Sequence, residues 1–268
     1  MTRAAELAEA ALTPEETERI LQACGSRAIL VGGQALAVWA AHYGIVPTAE
    51  LSLAVTMDAD FIGTSQAARD LQASLGQPWK VRVATLDDHG GQVAKVYARI
   101  SGVGIKQVDF LAGVVGLDTR DVVRRVAVLQ AAPGIEIQIL HPLDVLESRL
   151  RNLDALPHKR NAVGRAQALL AVSVVRAFIE QFMDQGGPVR VVHQAVKRVA
   201  RMALDSRLSH VGFEWDIDVL AAVPIERMGD SRLREIQWPR IQARLARKRE
   251  KFNALQLRRA ALSARREP

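Results

Sequence analysis

The sequence predicts a mixed α/β sheet domain followed by an all-helical region that ends in a basic helix. Three observations carry that prediction. Before residue 141, short apolar and β-branched runs alternate with segments of helical period, and glycines and prolines punctuate them. After His141-Pro142 the strand-like runs stop and helical periodicity takes over. From Pro239 to Pro268, ten Lys/Arg stand against two Glu, a net +8 that leaves the rest of the 268-residue chain at −1. The expected division is residues 1–141 as the α/β domain, 142–238 as the helical domain and 239–268 as the basic helical tail.

The elements follow in order. Thr13-Pro14-Glu15-Glu16 spells a capping box, with Thr as N-cap, proline in the first turn and Glu three residues after the cap; the helix should run to Cys24 and stop at Gly25. A short strand is expected at Ala28 to Val31, then a helix from Gln34 to Tyr43 with Leu36, Val38 and Trp39 facing the core and Gly44 as its stop. A loop through Pro47 leads to a strand over Leu53 to Ile62. Ser65 is expected to cap a helix from Gln66 to Leu75. Period-two runs at Trp79–Ala84, Gln92–Ile100 and Gly104–Leu111 predict three strands. Two further strand-like runs, Val122–Leu129 and Ile135–Leu140, flank Pro133-Gly134. Helices are expected at Leu143–Leu153, Ala162–Met183 and Val189–Leu204, and from Arg232 onwards, interrupted at Trp238-Pro239.

Composition narrows the functional classes. With 49% hydrophobic residues the chain can bury a substantial core. The single cysteine, Cys24, excludes an internal disulfide, and the N-terminus lacks the charged start, apolar stretch and cleavage site of a secretory signal. No uncharged apolar run approaches the ~20 residues needed to cross a bilayer. A cytoplasmic protein with no membrane partner is expected. The six histidines form no i,i+4 pair and no cysteine cluster joins them, so a zinc site is not indicated. No serine has the G-x-S-x-G context of a hydrolase elbow. Gly32-Gly33 does not complete a dinucleotide-binding G-x-G-x-x-G.

The chemistry concentrates between Ile29 and Ile62. Two glycines at a strand-to-helix junction let the backbone approach an anion, and a helix N-terminus offers unpaired N–H groups and partial positive charge. Asp58 and Asp60, two apart on a strand, point to one face and repel unless a cation sits between them. Asp109 lies within a third strand between Val108 and Phe110, whose side chains take the opposite face. An acid so placed is costly in a central strand unless it is paired, and a shared metal removes that cost. A phosphate cradle followed by paired acids suits Mg²⁺-assisted handling of a nucleoside triphosphate.

Gly32-Gly33-Gln34, Thr56-x-Asp58-x-Asp60 and Asp109 in QVDFL together resemble the nucleotidyltransferase superfamily that includes DNA polymerase β. The AbiEii-like toxin branch is the most similar, with HPLDVLESRLRNL (His141 to Leu153) like the helix that follows the core in that branch. The resemblance covers roughly residues 28–160. It implies a mixed-sheet nucleotidyltransferase-like fold and transfer of a nucleotidyl group from an NTP to a nucleic acid such as tRNA, or to a protein. It implies two Mg²⁺ or Mn²⁺ ions and, for a toxin, an antitoxin partner. By the same resemblance, Asp58 and Asp60 bind both metals, while Asp109 binds one and helps activate the incoming hydroxyl. Gly32, Gly33, Gln34, Thr56 and Arg149 contact the nucleotide, and Lys159 and Arg160 could line an acceptor groove, although solvated helix surface is the favoured reading of those last two. The sequence departs from the pattern at Gln34, where Ser or Thr is usual; at Ala54, where Arg is common; and at Arg149, where AbiEii-like members tend to have Lys. The Arg-Asp…Asp element expected after Lys159-Arg160 is not evident. These departures keep open a second reading, a catalytically weak nucleotide- or RNA-binding regulatory module of the same fold.

Overall fold

The computed structural model describes residues 10–46, 58–85, 87–88 and 90–264. It forms two compact units, Met1–Ser148 and Arg149–Pro268, and the boundary falls inside a helix. The first unit is built on one seven-stranded mixed sheet. Its strands are β1 (Ile29–Val31), β2 (Ala59–Ile62), β3 (Lys80–Val83), β4 (Gln92–Ile100), β5 (Gly104–Leu111), β6 (Ala127–Ala132) and β7 (Ile135–Ile139). The spatial order is β3-β4-β5-β2-β1-β7-β6. β2 runs parallel to β5 and β1 parallel to β7, and the other neighbours are antiparallel.

The two central strands are short and apolar. Leu30, Val31 and Phe61 are almost wholly buried, as are Val108 and Phe110 on β5, and the Phe61 and Phe110 rings stack with centroids 5.8 Å apart. Burial of a side chain of this size contributes roughly 1.5–3 kcal/mol. The strongly alternating burial of β4 and β5 leaves one face of each for polar residues, Asp109 among them.

Helices α1 (Pro14–Cys24), α2 (Gly32–His42) and α3 (Ser65–Leu75) pack on this sheet or on one another. The capping box of α1 is present in both directions: Thr13 Oγ1 accepts from the Glu16 N–H and Glu16 Oε2 accepts from the Thr13 N–H. α2 begins at Gly32, two residues before its expected start. Leu36 and Trp39 are buried as expected, whereas Val38 is only partly covered and Ala35 and Ala40 complete the inner face. Trp39 Nε1 donates to the Leu140 carbonyl (2.8 Å), tying α2 to the end of β7. The cap of α3 is Thr64 rather than Ser65, since the Thr64 hydroxyl accepts from the Ala67 N–H.

The strand expected over Val122–Leu129 is instead a helix, α4 (Thr119–Arg125), followed by β6. Asp118 caps α4 through its carboxylate, and Val122 is its one buried residue. A strong N-cap outweighs the β-propensity of Val122-Val123 over so short a run. The β2 strand begins at Ala59; the expected segment Leu53 to Met57, with Pro47, Ala54 and Thr56, lies outside the described residues.

Helix α5 (Pro142–Ala155) carries the boundary between the units. In its first turn Asp144 is fully buried and receives two hydrogen bonds from Arg125, from Nε at 3.1 Å and Nη2 at 2.9 Å.

The second unit is helical: α6 (Ala162–Asp184), α7 (Val189–Leu204), α8 (Ser206–Glu214) and α9 (Trp238–Ala264), with short 3₁₀ turns at Val219–Ala222 and Ile225–Arg227. The sequence reading passed over α8, which is set off from α7 by its Asp205 cap. α6 is long and apolar enough to cross a membrane by length and composition, but over half of its most apolar stretch is buried in this unit. Gly164, in its first turn, is required by close packing: a Cβ there would stand 2.0 Å from the Lys159 carbonyl oxygen. The helical run expected from Arg232 is continuous through Trp238-Pro239, because a π turn at Leu233–Gln237 feeds directly into α9. Pro239 stands just after that π turn, whose wider i→i−5 pattern has already interrupted the α-helical hydrogen bonds a proline would break.

Candidate metal centre

Pairing of the central strands assembles the site. β2 lies between β1 and β5, so Asp60 stands opposite Val31 on one side and opposite Asp109 on the other. The same rung continues across β5 to β4 and β3, where Asp109 faces Lys95 and Lys95 faces Arg82. Residues opposite one another in a sheet share a face, so two acids and two cations form a line across four strands. Asp58 sits in a bend immediately before β2, two residues from Asp60. Carboxylate oxygens of Asp58, Asp60 and Asp109 all lie within 4.8 Å of one another, and all three residues are half-buried. The parallel register of β2 with β5 does this; a slip of one residue would send Asp109 into the core.

Gly32 closes the site from the other side. Its φ of +70° falls in the left-handed region, and a Cβ there would lie 2.1 Å from Asp60 Oδ2. The start of α2 therefore approaches the Asp60 carboxylate more closely than any other residue type allows. The N-terminal turn of a helix stabilises neighbouring negative charge by ~0.3–1 kcal/mol, which offsets part of the repulsion among the acids. Gly33 and Gln34 occupy the same first turn, with Gly33 buried and Gln34 half-buried.

Two residues that sequence reasoning missed hold the third acid. Gln92 Nε2 donates to Asp109 Oδ1 at 2.8 Å, and Lys95 Nζ lies 3.6 Å from the same oxygen while donating to Gln107 Oε1 at 2.9 Å. Residues three apart on a regular strand point to opposite faces, so Gln92 and Lys95 should not meet one partner. A β-bulge between Gln92 and Ala94 supplies the extra residue that turns both to the Asp109 face. The signal available beforehand was a Lys within the period-two run of β4, but the bulge has no sequence signature. Arg82, next along the rung, is ion-paired with Asp88, whose carboxylate also accepts from the Thr85 N–H and hydroxyl. Those hydrogen bonds, with the Arg82 charge, hold the Asp88 carboxyl below the usual carboxylate range.

Three convergent carboxylates, with no nitrogen or sulfur donor in the cluster, suit a hard divalent cation. The lack of a Cβ at Gly32 lets the first turn of α2 stand directly beside this donor set. The arrangement can therefore hold metal ions beside a helix N-terminus that accepts an anion.

The remaining expected site residues among those described belong to the second unit. Arg149 belongs to the second unit, where it is buried and its Nη1 donates to Gln167 Oε1 at 3.1 Å. Lys159 and Arg160 lie at the turn before α6, both exposed, and Arg160 is ion-paired with Glu214 on α8 and donates to the Leu153 carbonyl.

No family model matches the sequence, and no curated protein does. Among solved structures, JHP933 from Helicobacter pylori aligns over 92% of this chain and 94% of its own, at 11% identity and a TM-score of 0.36. A second H. pylori structure, a candidate nucleotidyltransferase, aligns over 91% of this chain and 99% of its own with the same identity and TM-score. Similarity at this level assigns neither a family nor an activity to the chain.

Proposed function

We propose that the chain is a metal-dependent nucleotidyltransferase. The observation that carries this reading is the convergence of Asp58, Asp60 and Asp109 beside the Gly32 approach at the start of α2. The donor is an NTP, the acceptor a hydroxyl on a nucleic acid such as tRNA or on a protein side chain, and the metal Mg²⁺ or Mn²⁺. In the reaction, an acceptor oxygen forms a bond to the α-phosphorus and the bond to pyrophosphate breaks. Asp58 and Asp60 hold the cations and Asp109 helps deprotonate the incoming hydroxyl. Bound divalent ions supply neutralisation of the charge that develops on attacking and leaving oxygens. Gly32, Gly33 and the N–H groups of the first turn of α2 cradle the polyphosphate, with Gln34 offering an amide where relatives use a hydroxyl. Thr56 adds a nucleotide contact in this reading.

A toxin of a toxin–antitoxin or abortive-infection system, with an antitoxin partner, fits the same chemistry. The Gln34 departure also supports a second reading, a nucleotide- or RNA-binding module with weak turnover. One experiment separates them: incubation with each α-labelled NTP, Mg²⁺ or Mn²⁺, and total tRNA or protein. Label transfer that disappears in Asp58→Ala supports the enzyme. Nucleotide binding without transfer to any acceptor supports the module.

A further inference from the structure

We infer that α9 presents a cationic ridge that binds the phosphodiester backbone of a nucleic acid. The helix carries eight Lys/Arg and one Glu, a net +7 equal to that of the whole chain. Its inner face is set by Trp238, Ile241, Leu245 and Phe252, at steps of three, four and seven; Phe252 packs on His210 and Phe213 of α8. Arg249 is used internally, over the Phe213 ring and 3.8 Å from Asp216.

Five other cations take a different line. Arg240, Arg244, Arg247, Lys251 and Arg258 recur at steps of four, three, four and seven, and all are exposed. At about 100° per residue they fall within a sector of about 60°, and with a rise of ~1.5 Å they span about 27 Å at roughly one per turn. Among the described residues none of the five pairs with an acid. A row of like charges held on a rigid helix repels itself and gains nothing from folding, so a polyanion is the ligand it fits.

The neighbouring helix adds to it. Between α7 and α9 runs a groove of about 550 Å³ with an apolar floor of Val196, Leu204, Leu233 and Ile241; Lys197 and Arg201 of α7, the acid Asp205 and Arg244 of α9 also line it. Lys197 and Arg201, one turn apart, are also exposed. Lys197 and Arg201 widen the cationic surface beside Arg244.

The chemistry favours a nucleic acid over an acidic protein or a lipid surface. Four of the five ridge cations are arginine, whose planar fork binds phosphate bidentately. From Arg240 to Lys251 the two large apolar residues, Ile241 and Leu245, lie on the packed face, so this stretch of the ridge lacks the apolar or aromatic anchor that a protein interface or a membrane surface uses; the exposed leucines of α9, Leu255, Leu257 and Leu262, lie beyond it.

The test uses the full chain and fluorescence anisotropy with a labelled RNA hairpin and a labelled DNA duplex of the same length, across 50–200 mM KCl. Five phosphate contacts on a duplex give a slope of log K against log salt near −4.5, roughly a 500-fold loss of affinity over that range. Neutralising the ridge (R240Q, R244Q, R247Q, K251Q and R258Q together) should weaken binding at 100 mM KCl at least 100-fold with circular dichroism unchanged. Should that variant not fold, R247Q/K251Q carries the test, its slope becoming shallower by about 2. Asp60→Asn should bind like the wild type, so loss of nucleotidyl transfer and loss of nucleic-acid binding are separate readouts. Wild-type affinity in the ridge variant, a flat salt dependence, or binding to polyglutamate or anionic vesicles in place of both nucleic acids would overturn the inference.

Discussion

Replacing Asp60 by asparagine should make the protein more stable in the absence of metal and blind to metal when it is added. Three carboxylate oxygens lie within 4.8 Å of one another. At that separation a pair of unit charges repels by about 0.9 kcal/mol in water and by about 3.5 kcal/mol at an effective dielectric constant of 20. The half-buried site falls between these limits. Asp60 takes part in two such pairs, and the start of α2 returns at most ~1 kcal/mol in its favour. Loss of the charge should then stabilise the apo-protein by roughly 1–3 kcal/mol, while asparagine keeps the shape that Gly32 packs against. The assay is thermal unfolding in EDTA and in Mn²⁺. In EDTA the mutant should unfold about 2–12 °C above the wild type, taking ~2–4 °C per kcal/mol for a chain of this size. Mn²⁺ at a hundred times its Kd should stabilise the wild type by about 2.7 kcal/mol and leave the mutant unmoved. An Asp60→Asn protein less stable than the wild type in EDTA, yet still raised by Mn²⁺, would refute the argument that these acids form one cation site.

Other perturbations read other parts of the molecule. Asp144→Ala should cost about 1.5–3 kcal/mol in urea unfolding, because it removes two charge-assisted hydrogen bonds from Arg125, which keeps Asp121 and contact with solvent; a loss under about 0.5 kcal/mol would contradict the role given to the pair. Lys95→Met removes the cation 3.6 Å from Asp109 and should tighten Mn²⁺ binding several-fold by titration calorimetry, whereas weaker binding would show that Lys95 supports the site rather than competes in it. Burial pushes the Cys24 thiol up to about 12, so the native protein should resist thiol reagents at pH 8 and react only once unfolded. With the folded value raised, that contribution to stability is intact below the ordinary thiol range and falls as pH climbs toward 12. Burial acts to raise the Glu16 carboxyl, but the hydrogen bond from Lys106 and then that from the Thr13 N–H outweigh it and set it below the usual range. Its stabilisation is present above the unfolded carboxylate value and is lost as pH falls through the lowered folded value, so Glu16→Gln should flatten the acid limb of the stability profile.

Much of this protein is legible in one dimension because it depends on neighbours in the chain. The box at Thr13–Glu16, the alternation of β4 and β5 and the three- and four-residue spacing of α7 each express a local rule, and each element stands where that rule puts it. Where two local rules compete, the stronger decides: a well-placed Asp118 cap makes a helix of a segment that β-branched residues would favour as a strand. The candidate site divides the same way. Three acids on strand-like segments and a double glycine before a helix are visible as residue types, and with them the expectation of a cation. Their meeting is a matter of register. Only the pairing of β2 with both β1 and β5 sets Asp60 against Asp109 and Gly32, and only a bulge in β4 aims Gln92 and Lys95 at one carboxylate oxygen. Strand order and register follow from which faces must be buried together, a property of the packed sheet that no single strand contains. The sequence determined the elements and the chemical types; the tertiary structure decided which of them touch, because contact across a sheet is fixed by its shared core.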